Sequence, residues 1–90
     1  MSYKITFTSK AQKQLGKMDA RQKLIIKSWI DKNLEGCTNP RTVGDGKKLE
    51  GVQNGWRWRV GTYRILAVIE DAVVTIEVLK VGHRRDVYRR

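Results

Sequence analysis

The sequence predicts an α+β domain: an N-terminal strand, two helices packed on one face of a small antiparallel sheet, then a three-stranded meander. Three observations predict it. Residues 3–8 alternate and are rich in β-formers. Residues 20–34 carry a helical apolar periodicity. Three further β-rich runs, near 56–60, 63–69 and 72–81, follow one another with turn signals between them. Ninety residues suit one domain, so residues 1–90 are read as a single unit.

Each element has a local cause. In the first strand Tyr3-Lys4-Ile5-Thr6-Phe7-Thr8 alternates polar and apolar side chains. Ser9 is a suitable N-cap for a short helix with Ala11, Leu15 and Met18 on one side, weakened near its end by Gly16. Asp19 starts the second helix, and Gln22 three residues later completes a capping-box-like opening. Leu24, Ile25, Ile26, Trp29, Ile30 and Leu34 form its broad apolar face. Gly36 is the stop signal, and residues 37–48, with Asn39-Pro40 and Asp45-Gly46, read as a long loop. The near-continuous apolar runs 65–69 and 73–81 suit central strands, joined by a tight turn at Asp71-Ala72. The helices are expected to cover one sheet face and leave the other open.

Charge sets the class of partner. Nineteen Lys and Arg against nine Asp and Glu give a net charge of +10, which argues for a polyanion, nucleic acid first. No apolar run is long enough to span a membrane, and Met-Ser-Tyr-Lys-Ile-Thr-Phe-Thr lacks a signal-peptide core. The expectation is a cytoplasmic protein without a membrane partner. A single cysteine, Cys37, forms no internal disulfide and reads as incidental. One Cys and one His argue against a zinc-type site, and no cofactor is expected.

The most informative stretch is Trp56-Arg57-Trp58-Arg59-Val60-Gly61-Thr62-Tyr63-Arg64. Alternation puts Arg57 and Arg59 on one face and Trp56, Trp58 and Val60 on the other, where burial against the helices is expected. A Gly61-Thr62 hairpin turn sets Arg59 opposite Arg64 and Val60 opposite Tyr63, with Tyr63 facing the core. Like charges directly opposite on a sheet destabilise it. Three arginines gathered without a visible acidic partner suit an external anion, and a phosphate matches the guanidinium fork.

The tail, Lys80-Val81-Gly82-His83-Arg84-Arg85-Asp86-Val87-Tyr88-Arg89-Arg90, follows the last strand directly. His83 is the one side chain suited to neutral-pH proton transfer, and a neutral imidazole can take the proton from an RNA 2′-hydroxyl. Arginine stays protonated and serves instead to stabilise charge on a pentavalent phosphate. Tyr88 is suited to stack on a base, orient a phosphate or relay a proton. Asp86 has neighbouring arginines to pair with. Lys47, Lys48, Arg85 and Arg89 are candidate RNA-backbone contacts, as is Arg41 more generically.

Lys48-Leu49-Glu50-Gly51, Arg59-Val60-Gly61-Thr62-Tyr63-Arg64 and Val81-Gly82-His83-Arg84-Arg85-Asp86-Val87-Tyr88 together resemble the RelE family of bacterial toxins. The resemblance spans nearly the whole chain and includes the order of elements. It implies a ribosome-dependent endoribonuclease that cuts messenger RNA in the A site by 2′-hydroxyl attack on the adjacent phosphate, with a 5′-hydroxyl leaving group. The family's functional positions then fall on Arg57, Arg59, Arg64, Arg84 and Tyr88, with His83 at a place where many members carry histidine. Some members have lysines where Arg57 and Arg59 stand. With arginine there, His83 is the preferred base and Glu50 the alternative. The spacing from Gly82 to Tyr88 is shorter than in some relatives. The implied partners are a cognate acidic, RelB-like antitoxin, the ribosome with its message, and operator DNA through the antitoxin complex only. The related ParE-type toxins share the fold and act on DNA gyrase without cutting RNA, and a simple nucleic-acid-binding module is a third reading.

Overall fold

The computed structural model describes residues 2–88. Five strands and two helices follow in the order β1 (Lys4–Phe7), α1 (Ser9–Lys17), α2 (Ala20–Asn33), β2 (Lys47–Lys48), β3 (Gly55–Val60), β4 (Tyr63–Glu70) and β5 (Thr75–His83). They form one sheet in the order β1-β5-β4-β3-β2. The expected α+β architecture is present, with two additions. The sheet is mixed, because β1 runs parallel to β5 with Ile5 beside Ile76 and Phe7 beside Val78. A parallel partner needs a long crossover, and here the helices and the whole meander supply it. The loop also contributes the two-residue edge strand β2 and a 3₁₀ turn at Pro40–Thr42.

Helix boundaries follow from caps. Thr8, not Ser9, caps α1: its extended backbone lets the hydroxyl accept the Ala11 N–H at 3.1 Å while donating to the Leu79 carbonyl at 3.0 Å. One side chain therefore starts the helix and ties it to β5. Asp19 caps α2 as expected, accepting the Gln22 N–H at 2.9 Å. The buried stripe of that helix is Ile26, Ile30 and Leu34. Leu24 and Ile25 are exposed, contrary to the broad face expected. At 100° per residue they lie roughly 120–140° around the helix from the stripe's centre.

The core forms between these helices and the inner face of β3, β4 and β5. Trp58, Ile65, Ile69, Ile76 and Val81 meet Ala11, Leu15, Ile26 and Leu34 there. Trp58 is fully buried and donates its indole N–H to the Pro40 carbonyl at 3.3 Å, whereas Trp56 is half-buried. The β4–β5 connection is a 3₁₀ turn, Asp71–Val73, rather than a tight turn, so β5 begins at Thr75. Val74 adopts a left-handed backbone (φ 49°), and its carbonyl accepts the Lys4 N–H that opens the parallel pairing.

Two register features aim the open face. Arg59 pairs with Arg64 and Val60 with Tyr63, so Gly61-Thr62 is the two-residue turn, and Gly61 carries its positive φ of 61°. In β5 the register shifts between Leu66/Lys80 and Ala67/Val78, leaving Leu79 as a bulge. The bulge keeps Val78 and Val81 on the core side while turning Lys80 and Gly82 to the open side. No helix among the described residues is long and apolar enough to cross a membrane.

Candidate functional site

Two cross-strand rows build the open face. The first runs Lys47–Arg57–Leu66–Lys80 across β2, β3, β4 and β5. The second runs Arg59–Arg64–Gly82. Strand alternation thus brings Lys47, Arg57, Arg59 and Arg64 to one surface. They line a shallow cleft of about 210 Å³ with Asp45, Gly46 and Trp58. That volume lies below the roughly 300–1,000 Å³ of small-molecule pockets, and the four cations suit a phosphodiester better than a drug-like ligand.

Local contacts fix the cations. Arg57 donates to the Tyr88 hydroxyl at 3.1 Å. Arg64 donates to the carbonyls of Gly61 (3.3 Å) and Tyr63 (3.1 Å), which holds it over the hairpin turn. Arg59 pairs with Asp45 at 3.2 Å. That pair corrects the expectation of an arginine face without an acidic partner. Asp45 comes from the loop before β2, so its approach depends on a tertiary fold that local spacing does not reveal.

The tail folds back on this face. The Arg84 N–H bonds the Thr62 carbonyl at 2.8 Å, adding a last rung beside the hairpin. The N–H groups of Asp86 and Val87 both reach the His83 carbonyl, closing one turn. Val87 is thereby buried against Gly82, where an added Cβ would meet it at 3.6 Å, and Tyr88 reaches Arg57. Beside Tyr88 lies a more apolar hollow lined by Leu49, Glu50, Val52, Leu66, Lys80 and Val87.

His83 is not brought to the arginines. Its register partner is Tyr63, on the core side, and the two rings meet edge to face with centroids 5.8 Å apart. Its Nδ1 accepts the Arg85 N–H at 3.2 Å. Strand parity explains the difference: Gly82 and His83 are neighbours in sequence and point to opposite sides. Lys48 is likewise displaced, since it pairs with Trp56 on the other side and lines a separate hollow with Arg41 and Glu50. Arg84 and Arg85 are exposed at the sheet end, and Arg89 lies outside the described residues.

The perturbed ionisations fall elsewhere. The Arg41 fork and the Tyr3 hydroxyl both bond Asp71 and hold its carboxyl below the usual range. The same bonds push Tyr3 and Arg41 upward. This exposed trio links β1, the Pro40 turn and the β4–β5 connection, and it commits Arg41 to a structural pair. Burial pushes the Cys37 thiol up, away from the reactive thiolate. Among the described residues no cluster of His, Cys, Asp and Glu is suited to hold a metal.

Comparison with known proteins gives a consistent result. Residues 5–88 match the family described as ParE toxin of type II toxin-antitoxin system, parDE. The chain is 33% identical over 90 residues to Toxin RelG of Mycobacterium tuberculosis, covering all of both chains. Its fold superposes on the toxin–antitoxin complex RelBE2 of Mycobacterium tuberculosis with a TM-score of 0.76 and 30% identity, covering 96% of this chain and 95% of that one. The archaeal RelE–RelB complex of Pyrococcus horikoshii gives a TM-score of 0.74 and 26% identity, covering 97% and 100%.

Proposed function

The chain belongs to the RelE/ParE superfamily and is a toxin of a type II toxin–antitoxin system; from that premise we propose that it is an endoribonuclease cutting messenger RNA in the ribosomal A site. The observation that carries this reading is the cleft in which Lys47, Arg57, Arg59 and Arg64 converge beside the Tyr88 hydroxyl. In the proposed reaction a 2′-hydroxyl attacks the adjacent phosphorus and the 5′-oxygen leaves. Negative charge builds on the phosphoryl oxygens, and preorganised guanidinium groups stabilise it more than they stabilise the ground state. Arg57, Arg59 and Arg64 take that role, Lys47 steers the backbone, and Tyr88 stacks on or orients the neighbouring base. Arg84 and Arg85 contact RNA at the rim. A RelB-like acidic antitoxin covers the basic face when the toxin is silenced. Solved relatives are toxin–antitoxin complexes, which supports that pairing.

The test is to incubate the protein with a programmed ribosome holding an empty A site and map message ends by primer extension, with a ribosome-free control. Cuts within the A-site codon only with ribosomes are expected. The matched family carries the ParE name, which favours a second reading, a non-nucleolytic toxin acting on gyrase. An intact message together with inhibited supercoiling would select it.

A further inference from the structure

We infer that Asp45 is the proton acceptor of the arginine cleft, taking the 2′-hydroxyl proton of the RNA; this rests on the endonuclease reading above. Besides Asp45, the cleft is lined by the basic side chains Lys47, Arg57, Arg59 and Arg64 and by Gly46 and Trp58, which carry no proton-accepting group. Asp45 is the one lining group able to accept a proton. His83 lies on the other side of the sheet, bonded through Nδ1. Glu50 lines the hollows flanking the cleft, neither of which contains Arg57, Arg59 or Arg64.

The placement of Asp45 is built rather than incidental. It stands between two glycines, Gly44 beside the Trp29 ring and Gly46 pressed on Trp56 and Trp58. Gly44 has a φ of +52°, and a Cβ there would meet the Trp29 ring at 3.4 Å. A Cβ on Gly46 would overlap Trp56 Nε1 and lie 2.8 Å from Trp58 Nε1. The Gly46 N–H closes a turn onto the Val43 carbonyl. Three aromatic side chains therefore seat the segment, and the carboxylate between them reaches Arg59 at 3.2 Å.

The chemistry balances. The O–H bond of the 2′-hydroxyl breaks and its proton passes to the Asp45 carboxylate. The oxygen forms a bond to phosphorus, the P–O5′ bond breaks, and the 5′-oxygen takes a proton from solvent. The products are a 2′,3′-cyclic phosphate and a 5′-hydroxyl, and Asp45 returns its proton to water. Every other charged group lining the cleft is a cation and a hydrogen-bond donor, so Asp45 is the acceptor among them. Phosphate bound to Arg59 would place the attacking hydroxyl beside the carboxylate.

The experiment is single-turnover cleavage on programmed ribosomes by the full chain and by Asp45→Asn and Asp45→Glu. Ribosome pelleting and thermal melting of each variant run in parallel. Asp45→Asn is expected to bind and fold like the wild type and to cut about a hundredfold or more slowly, with Asp45→Glu recovering most of the loss. Asp45→Asn cutting at the wild-type rate would overturn the inference and leave the endonuclease standing. Faster cutting by Asp45→Asn would make the carboxylate a competitor of the phosphate instead. Absence of cutting by the wild type would remove the endonuclease reading and the inference with it.

Discussion

The same substitution, glycine to alanine, should have opposite effects at two positions in this chain. At Gly46 a Cβ would overlap Trp56 Nε1 and lie 2.8 Å from Trp58 Nε1 and 3.0 Å from Trp58 Cδ1. These are rigid indoles, and Trp58 is fully buried, so neither ring can swing aside without disturbing the core. Overpacking of this kind costs about 1–3 kcal/mol. The displaced Trp58 would also lose its bond to the Pro40 carbonyl, worth about 1 kcal/mol. Gly46→Ala should therefore destabilise by about 2–4 kcal/mol, which lowers Tm by roughly 10–25 °C in a domain of this size. At Gly16, inside α1, an added Cβ meets nothing within 4 Å. Gly16→Ala should stabilise by about 0.5–1 kcal/mol through helix propensity. Thermal and urea unfolding followed by tryptophan fluorescence would measure both. A Gly46→Ala protein melting within 2 °C or so of the wild type would refute the claim that the tryptophans seat the Asp45 loop.

Other expectations follow from the same contacts. Arg64→Ala should slow A-site cleavage by about a hundredfold while leaving unfolding stability within about 0.5 kcal/mol, because relief of the Arg59–Arg64 repulsion offsets the lost carbonyl bonds; single-turnover rates and chemical denaturation check the two halves. Tyr88→Phe and Arg57→Ala should be non-additive in cleavage, since the hydroxyl and the guanidinium are bonded to each other; additive losses in a double-mutant cycle would show independent roles. Asp71 is held below its ordinary range, so its contribution to stability is present above the unfolded carboxylate pKa and is lost as pH falls through the lower folded one. Tyr3 is raised, so its contribution is present below the ordinary tyrosine pKa and is lost as pH rises through the folded one. Asp71→Asn should remove that acid-limb dependence and shrink the alkaline one, measured as melting temperature against pH.

Much of the fold was legible because it rests on short-range patterns. Alternation in β3 with the Gly61-Thr62 turn suffices to predict the Arg59–Arg64 register, and Asp19 with Gln22 marks the start of α2. What escaped the sequence depends on distant partners. The parallel β1–β5 pairing requires the whole crossover, and the Leu79 bulge is visible only against β4. That bulge and the parity after it put His83 on the Tyr63 side, away from the arginines. Thr8 won the cap from Ser9 because its hydroxyl also reaches β5. Asp45-Gly46 was readable as a turn, and the run Gly44-Asp45-Gly46 offered a signal: a charged residue between two glycines, placed before a short basic strand. Its meeting with Arg59 needs the tryptophan core to be in place.

The role of the arginine cleft in RNA cleavage is tested by comparing wild type with the Arg57→Ala, Arg59→Ala, Arg64→Ala triple variant on programmed ribosomes. The triple variant should fold, still associate with ribosomes through its remaining basic surface, and cut at least about ten-thousandfold more slowly. A folded triple variant that cuts the A-site codon at the wild-type rate would contradict that role.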